Sequence, residues 1–171
     1  TEGSDYSAIS DVTISAGSTT GTSSFSNIDN SVYEGSETAI ISIGSVSGGS
    51  ASAASSGTSA TITLADDETA PQVNLSSSSS SVLEDGSAIT VTATLSNVAD
   101  EAVTIPLDAS GTATEGTDYA AISDITISAG SATGTATITP IDDSVSEGAE
   151  TLIVSLGTLS GADATAGSTS S

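Results

Sequence analysis

Residues 114–162 read TEGTDYAAISDITISAGSATGTATITPIDDSVSEGAETLIVSLGTLSGA. Residues 1–49 read TEGSDYSAISDVTISAGSTTGTSSFSNIDNSVYEGSETAIISIGSVSGG, and the two stretches align without a gap at an offset of 113, with 31 of 49 positions identical. A repeat of this length is a whole domain and not a short solenoid unit. The chain therefore holds parts of two copies of one tandem module, and both of its ends are expected to fall inside a module.

Apolar residues alternate with polar ones along several short runs. The run AITVTATL at 88–95 places every second residue, from Ile89 to Leu95, on one face. Val103, Ile105 and Leu107 alternate in the same way, and shorter runs follow at 125–127, 136–138, 151–156 and 61–64. Alternation with period two predicts half-buried antiparallel strands of about 5–8 residues. It also argues against disorder, the alternative that a chain so rich in Ser and Thr raises.

The segments between these runs are rich in turn residues. Ala-Gly-Ser stands at 16–18 and 129–131, Glu-Gly at 34–35 and 147–148, and Glu-Asp-Gly at 84–86. No segment has a helical period with caps. About seven strands in each module predict an all-β fold, a two-sheet antiparallel β-sandwich of the immunoglobulin-like kind. Its core is expected to be thin, because the alternating residues are small and aromatic residues are few.

The charge of the chain is one-sided. It has 22 acidic residues, no Lys, Arg or His, and a net charge of −22. Nucleic acid is excluded as a direct partner because binding needs basic side chains at the phosphates. We expect neither direct membrane insertion nor attraction to an anionic membrane, and the sequence shows no signal peptide or transmembrane run. Without Cys or His, only oxygen ligands remain for a metal, which favours calcium or magnesium.

The module boundary is predicted near residues 68–72. Residues 1–68 would be the C-terminal part of one module, and residues 69–171 the next module without its last strand. Pro71 and the polar residues before it predict a short, rather stiff linker. Residues 51–68 would form the last strand of the first copy, and their counterpart would begin at residue 164 and be cut off at residue 171.

The acidic residues cluster at predicted strand ends and turns. Alternate loops of an antiparallel sandwich meet at the same end, so these carboxylates are expected to converge. Five or more oxygen donors on loops suit Ca²⁺, which takes 6–8 oxygen ligands. The alternative is a solvated acidic surface, because strand ends are exposed in any case.

A series of motifs carries a family resemblance. It consists of Gly116-Thr117-Asp118-Tyr119, Ile127-Ser128-Ala129-Gly130-Ser131, the loop 141–151 (IDDSVSEGAET) and Ile62–Glu68 (ITLADDE). Together they resemble the Calx-β module over essentially the whole chain. That family includes calcium-sensing domains of sodium–calcium exchangers and integrin β4, and long repeat arrays in bacterial surface and secreted proteins.

The resemblance implies a set of calcium ligands in each copy. In the second copy the implied ligands are Glu84, Asp118, Asp142, Asp143, Glu147 and Glu150. In the first copy they are Asp5, Asp29, Asn30, Glu34, Glu37, Asp66, Asp67 and Glu68. Asn30 stands where the second copy has Asp143, and its neutral oxygen predicts a weaker site or fewer ions.

Other polar and aromatic residues receive structural interpretations. Tyr6 and Tyr119 are interpreted as packing residues. Asp11 and Asp124 are interpreted as turn formers that accept hydrogen bonds from their own backbone. The run Ser76–Ser81 is interpreted as a flexible or edge segment, and Asn74-Leu75-Ser76 matches a glycosylation sequon. Paired carboxylates also serve glycosidases, but no aromatic sugar platform is present, so we expect the chain not to be an enzyme.

The leading hypothesis is a segment of a long extracellular, secreted or cell-surface protein with a structural or adhesive role, in which Ca²⁺ stiffens the module junctions. Expected partners are calcium, neighbouring modules or further copies of the chain, and glycans of a cell surface or matrix. One alternative is a regulatory calcium sensor, which would need a linked membrane or signalling domain. Another is a filament subunit completed by strand exchange between chains.

Overall fold

A computed structural model of the protein describes residues 1–168, so the last three residues of the predicted second domain, 169–171, lie outside the described part. Within residues 1–168 every element of regular secondary structure is a β-strand, as the alternation predicts. The strands are β1 Val32–Tyr33, β2 Glu37–Ser42, β3 Ser59–Leu64, β4 Gln72–Ser77, β5 Ile89–Leu95, β6 Val98–Ala99, β7 Val103–Ile105, β8 Leu107–Gly111, β9 Ile125–Ile127, β10 Thr133–Ile138, β11 Leu152–Leu156 and β12 Thr165–Ala166.

The chain divides into two compact units. Unit 1 consists of Thr1–Asn30 and Ser36–Asp66. Unit 2 consists of the short segment Ser31–Gly35 and the chain from Asp67 onward. The sequence repeat predicts a single boundary near residue 68, and the assignment of Ser31–Gly35 to unit 2 is a feature that this repeat does not predict.

Unit 2 is built mainly from antiparallel ladders. Its largest sheet has the strand order β10-β5-β4-β12, and two-stranded ladders join β7 to β9 and β8 to β11. Val91 of β5 lies opposite Ala136 of β10, and Ala93 lies opposite Leu75 of β4. Two short pairings, β12 with β4 and β1 with β6, are parallel. The longer ladders are all antiparallel, as the sequence predicts, and the parallel pairings are limited to two residues each.

The alternating run at 103–107 forms two strands and not one. β7 pairs with β9, whereas β8 pairs with β11, and Pro106 separates β7 from β8. Proline has no backbone N–H to donate to a ladder and favours strand ends. The chain changes its strand partner at this residue, which lets one alternating run serve two ladders.

The core of unit 2 is small and almost entirely aliphatic. The buried cluster contains Val, Ile, Leu and Ala residues and one aromatic residue, Tyr119. This agrees with the predicted thin core and with the packing role of Tyr119. Pro71 is among the fully buried residues. The interpretation of Pro71 as part of a linker was therefore wrong, because it packs inside unit 2 directly before β4.

Unit 1 exposes apolar residues whose repeat counterparts in unit 2 are buried. β2 and β3 pair along their whole length, and Ala39 of β2 is buried. Val12 and Ile14, however, are 53% and 57% exposed, whereas their repeat counterparts Ile125 and Ile127 are 1% and 0% exposed. In unit 2 these counterparts form β9, which pairs with β7. Val12 and Ile14 belong to no strand, in contrast to Ile125 and Ile127.

Candidate metal centre

A tight turn fixes Asp118 in the second copy. The Gly116 N–H donates to the Tyr119 carbonyl at 2.8 Å, and the Asp118 N–H donates to the Thr114 carbonyl at 2.9 Å. Gly116 has a φ of 85°, a conformation that glycine adopts without steric cost. The Asp118 side chain accepts the Thr114 N–H. The Asp118 carbonyl accepts the Ile141 N–H at 3.0 Å, which ties the turn to the start of the acidic loop 141–150.

The first copy builds the same turn. The Gly3 N–H donates to Tyr6 at 2.8 Å, the Asp5 N–H to Thr1 at 2.9 Å, and the Ile28 N–H to Asp5 at 2.9 Å. Asp5 is buried, and the ring of Tyr6 packs edge-on against Phe25 with centroids 5.4 Å apart. The repeated sequence therefore specifies the same local geometry twice, and the packing role predicted for Tyr6 agrees with this contact.

The acidic loops of the second copy bring their carboxylates together. Loss of hydration raises the pKa of Glu147, and repulsion from Asp118, Asp143, Glu84 and Glu150 raises it further. A hydrogen bond with the Asp118 side chain raises the pKa of Glu150, as do loss of hydration and the charges of Asp118 and Glu84. These five residues are five of the six ligands that the resemblance implies. The sixth, Asp142, is exposed in the same loop beside Asp143.

The first copy brings together the counterparts of Asp118 and Glu150. The amino group of Thr1 forms an ion pair with Asp5, and its nitrogen lies 3.9 Å from Oε2 of Glu37. This nitrogen stands where the second copy has the Thr114 N–H.

The other implied ligands of the first copy lie in both units. Asp29 and Asn30 are exposed and belong to unit 1, together with Asp66. Glu34 is half-buried directly after β1 and belongs to unit 2, as do Asp67 and Glu68.

The donor set of the second copy fits calcium. All of its members are carboxylates on turns or loops. Loss of hydration and then the charges of four neighbouring carboxylates raise the pKa of Glu147. The chain has no Lys, Arg or His that could neutralise them. Hard oxygen ligands at high negative charge are what Ca²⁺ binds in flexible geometry. A bound Ca²⁺ would supply the positive charge that this cluster lacks, while the Thr114–Tyr119 turn and loop 141–150 hold the carboxylates in place.

Asp124 makes a contact that its interpretation as a turn former does not include. Its Oδ1 accepts the N–H of Leu107 at 3.3 Å. It therefore links the start of β9 to the start of β8. Ser76 and Ser77 belong to β4 and lie opposite Thr92 and Val91 of β5. The pairing of β12 with β4 covers only Gln72 and Val73, so the start of the serine run is an edge segment, as interpreted.

Sequence reasoning missed one polar contact in unit 2. The Tyr33 hydroxyl donates to Oδ2 of Asp163 at 2.9 Å. Two sequence differences between the copies could have indicated this hydrogen bond. At the offset of 113, Tyr33 is matched by Ser146, and Asp163 is matched by Ser50.

The raised pKa values predict how stability depends on pH without calcium. A carboxyl group whose pKa is higher in the folded state binds its proton more tightly there, so folding is favoured as pH falls toward 4.5, the ordinary value for Glu. In chelator, the melting temperature of unit 2 is expected to rise as pH is lowered from 7 toward 5. Scanning calorimetry across this range measures it.

Glu150→Gln should flatten this pH dependence, whereas Asp108→Asn removes the same charge from exposed strand β8 and should preserve it. A melting temperature that falls steadily on acidification in chelator would contradict the predicted repulsion. With calcium present the trend should reverse, because protons then compete with the ion for the same oxygens.

Comparison with known proteins agrees with the sequence motifs. The sequence model of the Calx-beta domain family matches residues 1–68 and again residues 66–170. No curated protein matches the chain in sequence. Among the residues that the structure describes, no helix has the length and hydropathy needed to cross a membrane.

Proposed function

The chain belongs to the Calx-beta domain family, a β-sandwich family of the calcium-binding type, and from this premise we propose that it is a stretch of a long extracellular repeat protein with a structural or adhesive role. Calcium held by the acidic loops would neutralise the carboxylates and stiffen the run of modules. The chain would carry no catalytic chemistry, and its neighbours in the run would be further modules of the same kind.

The observation that carries the proposal is the cluster formed by Glu147 and the carboxylates whose charges act on it, which are Glu84, Asp118, Asp143 and Glu150. Repulsion within such a cluster loosens the folded state when no cation is present. An ion that binds only the folded state therefore acts as a structural component, which suits a load-bearing repeat. Millimolar calcium outside cells would keep even weak sites filled.

A single substitution in this cluster tests the calcium assignment. Glu147→Gln keeps the shape of the side chain but removes its charge, so it should weaken calcium binding in the second copy by about tenfold, because affinity depends on the charge of the ligand set. Titration calorimetry on the whole chain measures this, with Asp108→Asn as the control of equal net charge. Equal affinities for Glu147→Gln, Asp108→Asn and the unaltered chain would refute the assignment.

The first copy offers the reverse experiment. Asn30→Asp restores the charge that the second copy has at Asp143, so it should tighten the weaker calcium site of the first copy. Ser31→Asp adds the same charge one residue further on and serves as its matched control. If both variants change the calorimetric titration equally, Asn30 is not a ligand and only total charge matters.

A second candidate function rests on the exposed apolar residues of unit 1. Val12 and Ile14 are exposed although their counterparts are buried core residues. Exposed apolar segments can recruit strands, and we propose as the alternative that the chain acts as a filament subunit completed by strands of another copy. Light scattering tests this candidate. Ordered oligomers that disappear when a copy of residues 69–113 is joined ahead of Thr1 support it, and a cooperatively folded monomer rules it out.

A further inference from the structure

The segment Ser31–Gly35 forms a strand of unit 2, although by sequence it lies within the first copy. Its residues Val32 and Tyr33 form β1, which pairs in parallel with Val98 and Ala99 of β6. The Asp100 N–H donates to the Tyr33 carbonyl at 3.1 Å. Ala99 is buried, so this edge of β6 borders the core of unit 2.

The Tyr33 side chain strengthens this placement in two ways. Its ring packs against the hydrophobic core of unit 2. Its hydroxyl donates to Oδ2 of Asp163 at 2.9 Å. The segment is therefore held by backbone pairing, by apolar contact and by a hydrogen bond to a charged acceptor, which is stronger than a neutral one.

Asp163 lies in a loop with an unusual backbone. Ala162 and Asp163 both have a φ of 49°, a left-handed conformation that non-glycine residues seldom adopt. The Ala162 N–H donates to Oε2 of Glu101 at 3.3 Å, and Ala162 is buried. Such a conformation persists where the surrounding contacts impose it, and the Glu101 contact is one that holds this loop.

The hydrogen bond between Tyr33 and Asp163 depends on two residues that differ between the copies. The counterpart loop in the first copy has the same left-handed turn, with a φ of 55° at Gly49 and 57° at Ser50. The counterparts of Val32 and Tyr33 are Val145 and Ser146. Val145 is 61% exposed, and its N–H donates to Oδ1 of Asp143 in a local turn. The loop conformation is thus common to both copies, whereas the Tyr–Asp contact depends on residues that differ between them.

We propose that the edge of β6 together with Asp163 is a docking site for the Ser31–Gly35 segment, and that the Tyr33–Asp163 hydrogen bond gives it specificity. The folding unit of the second copy then includes a strand from the acidic loop of the first. A loop with Tyr at this position is accepted, and one with Ser, as at Ser146, is disfavoured because it offers neither the ring nor the reach to Asp163. Placement of this segment on β6 therefore depends on this pair of positions.

Amide hydrogen exchange on the full 171-residue chain tests the proposal. The Asp100 amide reports docking directly, because it donates to Tyr33. Tyr33→Phe, which keeps the ring, should speed its exchange by about tenfold, the loss expected for a hydrogen bond to a charged group. Tyr33→Ser should speed it further. Asp163→Ser should match Tyr33→Phe, and the double variant Tyr33→Phe with Asp163→Ser should add little to either.

Two controls separate docking from general loss of stability. Val145→Ser makes the same change as Val32→Ser at the matching position, and only Val32→Ser should speed exchange at Asp100. The amide of Val91, in the centre of the large sheet, should keep its protection in all variants. Unchanged exchange at Asp100 in Tyr33→Ser, or equal acceleration at Val91 and Asp100, would overturn the proposal.

Discussion

Calcium is expected to raise the melting temperature of unit 2 by about 10–20 °C relative to the same protein in chelator. Binding that is specific to the folded state stabilises it by roughly 2.7 kcal/mol at a hundredfold excess over the dissociation constant. For a domain of about 100 residues each kcal/mol corresponds to about 4–8 °C. The reason for so large an effect is the cluster around Glu147, whose carboxylates repel one another and have no basic side chain to neutralise them.

The melting scan needs controls for ionic strength and for the site. Magnesium at matched ionic strength should give a smaller shift, because Mg²⁺ demands a stricter octahedral geometry and gives up its water reluctantly. Glu147→Gln combined with Glu150→Gln should remove most of the calcium shift. Equal melting temperatures in calcium and in chelator would refute a structural role for calcium in this protein.

Period-two alternation was sufficient to predict the strands that form the core of unit 2. Val91, Ala93 and Leu95 are buried on one face of β5, and Ile125 and Ile127 are buried in β9. Alternation succeeds here because a strand with one buried face has only one register that keeps its apolar residues out of water. It failed to separate β7 from β8, because Pro106 changes the partner strand without interrupting the apolar period.

The convergence of the acidic loops was predictable from the repeat and the sandwich geometry, but its details were not. Spacing alone placed Glu84 and Asp118 near loop 141–150. It could not show that Glu150 shares a hydrogen bond with Asp118, or that Glu147 is the residue on which four other carboxylates act. These relations depend on the turn Thr114–Tyr119 and its hydrogen bond to Ile141, which are tertiary features.

Long-range contacts of single residues escaped prediction for a different reason. The carboxylate of Asp124 reaches the N–H of Leu107, 17 residues away, and Tyr33 reaches Asp163 across 130 residues. Neither contact leaves a periodic trace in the sequence. Local turn chemistry was the natural interpretation for Asp124, and it does not include the contact with Leu107, which depends on the fold.

Joining a second copy of residues 69–113 ahead of Thr1 is expected to stabilise unit 1 by about 1.5–3 kcal/mol. The added segment supplies a counterpart of β7 beside Val12 and Ile14, as β7 lies beside Ile125 and Ile127 in unit 2. Fully burying one exposed Val or Ile side chain contributes about 1.5–3 kcal/mol. Val12 and Ile14 are 53% and 57% exposed, so covering both gains about as much as one full burial. Thermal unfolding measures the change in stability, and hydrogen exchange at the amides of Val12 and Ile14 shows whether these residues become protected.

The matched control is the same extension with Val103→Ser and Ile105→Ser in the added segment only. It has the same length and charge but lacks the apolar side chains that would cover Val12 and Ile14. It should therefore leave the exchange rates of these two residues close to those of the shorter chain. If both extensions protect Val12 and Ile14 equally, chain length and not burial is responsible. If neither extension protects these residues, a strand equivalent to β7 does not cover Val12 and Ile14. Ile14 and Ile127 would then match in sequence but not in packing.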